Sequence, residues 1–346
     1  MGWSGVTSGD RLSQWENQIH QGDAAETLAQ MPEGSVNCVM TSPPYYGLRD
    51  YGIDGQIGLE ESLDDYIESL LDVADEVRRV LRDDGSWWLN LGDSFAGSWG
   101  AQSKDETENN LPQHDHPDKN PARHTDLRRK NKMLVPHRVA IALQEHGWIV
   151  RSDAVWSKPN PMPHPVKDRL HEHKEFVFHL TPEPDYWFDL DSIRIPHKKS
   201  SLERTESSFG SSAVGSLACP REDKRESVLM DAEDALHPNG KNPGDVFEIP
   251  VRAFPEAHFA VYPPELCEAP IKATCPEDGV VLDPFAGAGT TCLVAKRLSR
   301  RFVGIELNPD YVAMAQKRVG IDVDEPERLL EDDETTILEY TEVADD

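Results

Sequence analysis

The chain has 346 residues, with 63 acidic side chains against 35 basic ones and a formal charge of −28. Hydrophobic residues make up 38%, which excludes a wholly disordered chain, and at roughly 150 residues per domain the length fits two domains or one large α/β domain with insertions. No window approaches the roughly 18 consecutive apolar residues of a membrane span, and the N-terminus lacks the basic and apolar regions of a signal peptide, so a cytoplasmic protein is expected.

In chain order, residues 1–35 are polar, with a short helix pattern near 23–31. A strand is predicted over Val36–Thr41, ended by Ser42-Pro43-Pro44-Tyr45, since two consecutive prolines cannot continue a ladder. Helical spacing runs over 62–82, and Asp83-Asp84-Gly85 predicts a turn into a strand at 86–91. Residues 96–132 are rich in Asn, Asp, His and Pro and end in the basic run Arg128-Arg129-Lys130-Asn131-Lys132, which reads as a surface insertion. A helix at 134–146 and strands at 148–156 and 176–180 restore the alternation. Residues 196–245 form a second irregular insertion, with eight Ser between 200 and 227. The last ordered block is strand 280–283, a Gly-rich turn, helix 290–299, strand 302–307 and helix 310–319. This alternation predicts a doubly wound α/β fold with a mostly parallel sheet.

The five cysteines, Cys38, Cys219, Cys267, Cys275 and Cys292, form no CxxC pair, so neither a disulfide framework nor a cysteine zinc site is expected. The acid excess is spread over body and tail. The segment 322–346 carries twelve acids against one base, and the chain has 14 Lys against 21 Arg. Such a surface suits a halophilic source with a cytoplasm of molar salt, where self-repulsion is screened. An acidic interaction tail is the plainer alternative.

Two motifs carry chemistry. In Asp283-Pro284-Phe285-Ala286-Gly287-Ala288-Gly289-Thr290-Thr291, a strand runs into glycines and then a helix. Glycines let the backbone approach a ligand, and the helix N-terminus offers free N–H groups. The next strand ends at Glu306, where an acid can accept from a ribose diol. A nicotinamide site is disfavoured, because Cys292 occupies the third fingerprint position. Ser42-Pro43-Pro44-Tyr45 directly after an apolar strand is the second motif.

Together, Thr41-Ser42-Pro43-Pro44-Tyr45 and Asp283–Thr291 resemble the S-adenosylmethionine-dependent amino-DNA methyltransferases. The order of the two motifs is the circularly permuted one of that family's β group. Supporting segments at 85–94, 258–264 and 302–308 follow in the same order. The resemblance implies a Rossmann-like fold divided as follows: a catalytic half at 1–95 and 133–195, a surface insertion at 96–132, a target-recognition insertion at 196–245, a cofactor half at 246–320 and an acidic tail at 321–346. It implies that Ser42, Pro43, Pro44 and Tyr45 are catalytic. The Ser42 hydroxyl and Pro43 carbonyl would accept the two N–H bonds of an exocyclic amine, and Tyr45 would stack on a flipped base.

It further implies that Asp23, Thr41, Asp283, Phe285, Ala286, Gly287, Gly289, Thr290 and Glu306 bind S-adenosylmethionine and its product S-adenosylhomocysteine. A helix-cap reading of Asp23 stays open. No metal is required, so the histidines His114, His116, His164, His171 and His173 are read as polar surface or phosphate contacts rather than ligands.

Family members with Ser at the first motif position are mostly N4-cytosine enzymes, and those with Asp or Asn mostly N6-adenine enzymes. Ser42 therefore favours cytosine N4, with adenine N6 as the runner-up. Methylation of RNA or a protein amide, or a DNA-binding relative without activity, are the remaining alternatives. The expected partner is double-stranded DNA, with a cognate restriction endonuclease and a monomer or homodimer as further expectations. Arg128, Arg129, Lys130, Lys132, Lys158, Lys198 and Lys199 are the candidate DNA contacts, giving a local basic face on an acidic whole. A solvated basic run is the alternative for 128–132, and Arg49 with Asp50 reads equally as a local ion pair or as part of the pocket.

Overall fold

The computed structural model describes residues 12–48, 52–96, 127–161, 163, 166–200, 237–252 and 261–321. Most of both predicted insertions and all but the first residue of the tail lie outside these residues. So do Arg49, Asp50, His114, His116, Arg123, His164, Arg204, Cys219 and 258–260.

Eight strands form one sheet in the order β1-β8-β7-β2-β3-β5-β4-β6. They are β1 (Gln18–Gln21), β2 (Val36–Thr41), β3 (Leu81–Leu91), β4 (Ile149–Ser157), β5 (Lys174–Thr181), β6 (Val246–Glu248), β7 (Val280–Asp283) and β8 (Arg301–Glu306). All neighbours pair parallel except β3–β5 and β5–β4, so β5 alone runs against the rest. The expected doubly wound, mostly parallel architecture is present.

Helices cover both faces. Helices α1 (Ala24–Leu28), α2 (Leu63–Val80) and α3 (Val135–Glu145) bury Leu28, Tyr66, Leu70, Val77 and Val139 against Val39, Trp87, Leu89 and Leu282. Helices α4 (Glu265–Thr274), α5 (Thr290–Arg297) and α6 (Pro309–Val319) bury Leu266, Ile271, Val294 and Ala315 against Met40, Trp88, Val177 and Val281. Alternate strand residues thus feed two cores, as the period-2 pleat requires.

Local chemistry explains the helix ends. Ser62 and Asp65 form a reciprocal capping box at the start of α2, and Arg78 and Arg79 sit in its last turn, complementing the dipole. Asn308 caps α6 through the Asp310 N–H, with Pro309 in the first turn.

Four features differ from the expectations. β1 arises from the polar segment Gln18–Gln21, because its backbone completes the edge beside β8. Asp83–Gly85 is not a separate turn before β3. It lies within the strand, at a register irregularity between the Val36↔Leu81 and Cys38↔Ser86 pairs. Helix α4 was not expected at all. β6 belongs to the opposite edge of the sheet, pairing with β4, so 246–248 is not part of the half that carries the Gly-rich loop.

His179, in the core, lies stacked on Trp88 with ring centroids 4.2 Å apart, and its Nε2 is 3.0 Å from Ser86 Oγ. Burial, helped by the charge of Arg151, pushes its pKa down from 6.5 to about 3. The unfolded chain therefore binds a proton that the folded chain refuses. Stability from this group is complete above about 6.5 and is lost as pH falls toward the folded value. Urea melts between pH 7 and pH 4 should show His179→Phe losing less stability than the wild type, by roughly 3–5 kcal/mol.

Candidate active site

The C-terminal ends of the parallel strands meet at one edge of the sheet, joined there by the N-terminal end of β5. β2 leads through α2 to β3 on one side, while β7 leads through α5 to β8 on the other. The crossover helices pack on opposite faces. The loops leaving β2 and β7 therefore diverge, and a crevice opens at this switch point.

Thr41 and Asp283, the last residues of β2 and β7, close its floor. The Thr41 hydroxyl donates to Asp283 Oδ1 at 2.5 Å, the Phe285 N–H donates to the same oxygen at 3.1 Å, and the Tyr262 hydroxyl donates to Oδ2 at 3.0 Å. Asp283 has no exposed surface, and burial pushes its pKa above the ordinary carboxylate value against the pull of these donors.

The Gly-rich loop follows. Gly289 adopts φ +74°, and a Cβ there would stand 3.0 Å from Ala315 Cβ, so glycine is required both for the turn and for the approach of α6. Glu306 closes the loop from β8. Its Oε2 accepts from the Gly287 N–H and its Oε1 from the Asn308 N–H, both at 2.8 Å. Burial is the largest influence on Glu306 and raises its pKa. A carboxylate offers about four acceptor positions, so two remain for a diol.

On the other side, the Tyr66 hydroxyl donates to the Pro44 carbonyl at 2.9 Å and fixes the turn. Among the described residues, nothing hydrogen-bonds the Pro43 carbonyl. Ser42 Oγ donates to the Tyr45 hydroxyl at 3.1 Å, and that hydroxyl donates to Glu175 Oε2 at 2.7 Å. Asn90 Nδ2 lies 2.9 Å from both the Tyr45 hydroxyl and Glu175 Oε2. Asn90 Oδ1 is buried without a partner among the described residues. Lys158 Nζ pairs with Glu175 Oε1.

A single cavity of about 270 Å³ joins the two motifs, lined by Ser42–Tyr45 at one end and by Pro284–Ala288 and Glu306 at the other. Asp23, Phe285, Ala286, Gly287, Thr290 and Glu306 line it. Asp23 also caps α1, accepting from the Glu26 N–H at 3.0 Å. The Thr290 hydroxyl accepts from Arg318 at 2.8 Å. Thr41, Asp283 and Gly289 lie behind the wall and shape it.

The candidate DNA contacts divide. Arg128, Arg129 and Lys198 are exposed, as is Lys199. Lys130 pairs with Asp168, and Lys132 with Glu172 and Asp93. Lys158 faces the cavity. Glu175, Asn90 and Tyr262 were missed as site residues. Asn90 carried a signal, being a polar residue inside the apolar run Trp87–Leu91. Glu175 carried none.

The family model described as DNA methylase matches residues 36–317. The type II methyltransferase M.XycI of Xanthomonas campestris pv. cyanopsidis is 38% identical over 310 residues, covering 87% of each chain. The chain belongs to the DNA methylase family. M.SmaI of Serratia marcescens is 37% identical over 302 residues, covering 87% of this chain and 90% of its own. Among solved structures, the PvuII DNA methyltransferase (cytosine-N4-specific) matches with a TM-score of 0.58 at 21% identity, over 89% of this chain and 87% of its own. The TTHA0409 DNA modification methylase of Thermus thermophilus, complexed with S-adenosyl-L-methionine, matches at 0.52 and 22% identity, over 88% and 95%. These two structural likenesses bear on the fold, which is that of a DNA methylase.

The floor of this methylase crevice can be tested through its hydroxyl. Thr41→Val keeps the shape and removes one donor to a buried carboxylate. Denaturant melts should show a loss of about 1.5–3 kcal/mol, and calorimetric titration with S-adenosylmethionine should show weaker binding as the Gly-rich loop loosens.

Proposed function

We propose that the chain is a site-specific DNA methyltransferase that moves a methyl group from S-adenosylmethionine to the exocyclic N4 of cytosine in duplex DNA, with the base flipped out of the stack. The observation that carries this reading is the single cavity bounded by Ser42-Pro43-Pro44-Tyr45 and by the Gly-rich loop with Glu306. The residues present fit the cofactor. Glu306 has acceptor positions left for a ribose, and the Phe285–Gly287 backbone lines a trough for the amino-acid half. Asp23 stands at the rim opposite, within reach of an adenine amine. When bound, the cofactor supplies a methyl group already activated on a sulfonium.

The protein's own part is to prepare the amine. An amine conjugated with its ring is a poor nucleophile, because its lone pair is delocalised. Ser42 Oγ and the Pro43 carbonyl accept its N–H bonds and favour a pyramidal nitrogen whose lone pair points along the cavity toward the loop. Asn90 Oδ1 is a third acceptor on the same wall. These acceptors act most strongly as positive charge develops on the nitrogen, which makes them transition-state stabilisers. The Pro-Pro pair and the Tyr66 bond keep the turn from rearranging. The type II methyltransferase relatives support a place beside a cognate restriction endonuclease, and the motif order supports the β group.

The charge of −28 supports a halophilic source and a working medium of molar salt. At such ionic strength counterion release contributes little, so binding leans on base contacts and shape. DNA binding followed by fluorescence anisotropy should weaken only gently from moderate to molar potassium chloride. A steep loss would count against the salt-adapted reading.

The assay for the reaction is transfer of labelled methyl to duplex DNA in molar potassium chloride, followed by mass spectrometry of nucleosides. N4-methylcytosine is the expected product. N6-methyladenine would keep the reaction class and overturn the inference from Ser42. Ser42→Ala should lower the single-turnover rate by about 10²-fold, with cofactor binding unchanged by titration.

A further inference from the structure

Methylating an exocyclic amine leaves a nitrogen carrying one proton too many, and the reaction is complete only when that proton has left. Resting on the proposed reaction, we propose that Glu175 is the terminal acceptor of this proton, reached from the amine through Ser42 and Tyr45.

The hydrogen bonds along the cavity wall run in one direction. Ser42 Oγ donates to the Tyr45 hydroxyl at 3.1 Å, and the Tyr45 hydroxyl donates to Glu175 Oε2 at 2.7 Å. Each hydroxyl can pass its own proton forward while accepting one from behind. The methyl-accepting nitrogen forms its N–C bond as the C–S bond breaks, with the electron pair leaving on sulfur. The nitrogen then gives a proton to Ser42 Oγ, Ser42 gives its proton to the Tyr45 oxygen, and Tyr45 gives its proton to the Glu175 carboxylate. Both hydroxyls end as they began, and Glu175 ends as a neutral carboxylic acid. One positive charge leaves the sulfur and one negative charge is lost at Glu175, so atoms and charge balance.

The surroundings suit this role. Asn90 Nδ2 holds both the Tyr45 hydroxyl and Glu175 Oε2 from above, each at 2.9 Å. Gly92 makes room for the Tyr45 ring, since a Cβ there would stand 2.5 Å from Cε2. Burial first, then the charge of Glu175, pushes the Tyr45 pKa well above its ordinary value. Tyr45 therefore stays neutral and transmits a proton rather than losing one. The titratable groups contacting Glu175 are Tyr45 from the β2 loop and Lys158 from the end of β4, with its own neighbour Lys174 turned over the Phe176 ring. Lys158 keeps the carboxylate charged between turnovers, and the Glu175 side chain retains 16% exposure, an outlet for the proton to solvent. Tyr45, in this arrangement, is tied by its hydroxyl rather than presented as a free stacking ring.

The experiment is single-turnover methylation by the full chain with Glu175→Gln, Glu175→Asp and Tyr45→Phe. It is paired with calorimetric titration of S-adenosylmethionine and with 2-aminopurine fluorescence at the target base. Loss of the acceptor should lower the rate by about 10²-fold or more in Glu175→Gln and in Tyr45→Phe. Cofactor affinity and base flipping should stay within about twofold of wild type, and Glu175→Asp should recover part of the rate. The wild-type rate should fall toward acid pH as the carboxylate fills, and Glu175→Gln should lack that limb.

The relay is overturned if either Glu175→Gln or Tyr45→Phe keeps its rate within about threefold of wild type. It is overturned equally if the rate falls only in step with cofactor or DNA binding, which is the signature of a structural role. A wild-type chain that methylates no base overturns the reaction itself and the relay with it, whereas an active wild type with an unimpaired Glu175→Gln overturns the relay alone.

Discussion

The hydrogen bond from Thr41 to Asp283 joins the ends of two strands that then part company. β2 and β7 share a short register, Cys38↔Val281 and Val39↔Leu282, and beyond it their loops turn to opposite faces. Without a fastening at the point of divergence, the crevice would have no fixed floor. The fastening is a carboxylate without exposed surface, so it needs donors, and it collects them from three segments: Thr41, Tyr262 and the Phe285 backbone. The same bonds that satisfy Asp283 therefore set the start of the Gly-rich loop relative to Ser42. A buried acid is costly when unpaired, and here that cost enforces the geometry between the two motifs.

Much of this was legible in the residues. Val36–Thr41 and Val280–Asp283 are short apolar runs ended by Pro-Pro and Asp-Pro, and both strands end where those signals put them. Helix α2 announced itself through Ser62, Asp65 and a regular apolar stripe. What escaped depended on partners distant in sequence. Gln18–Gln21 has no strand pattern beyond Ile19, and it is a strand because β8 offers it an edge. Glu175 sits at the start of β5, and strand direction is not written in local sequence. Only the reversal of β5 brings its beginning, rather than its end, to the site. Lys158 looked like a phosphate contact because its partner lies across the β4–β5 ladder.

The ion pairs give the acid excess a local meaning. Lys130 and Lys132, on the rim expected to meet DNA, each hold an acid from the 168–172 loop. Pairs this exposed contribute little to stability, and a phosphate can replace the carboxylate without a large loss. Such a rim is close to neutral when free and becomes a set of cation donors when the acids are displaced. Arg128 and Arg129 stand beside it, exposed. A chain with a strongly negative total can in this way approach a polyanion without carrying a permanently basic face.

β1 lies beside β8, and α6, which follows β8, packs back over β1. The first strand and the last helix of the described structure are thus neighbours at one margin of the sheet. Linking them and opening the backbone elsewhere, for instance between α3 and β4, would leave every strand with its present neighbours. The Gly-rich loop would then precede the Ser42 turn in the linear order. The succession of motifs along such a chain reports where the polypeptide happens to be cut. The three-dimensional arrangement is indifferent to that choice, so two genes with opposite motif order can encode the same catalytic surface.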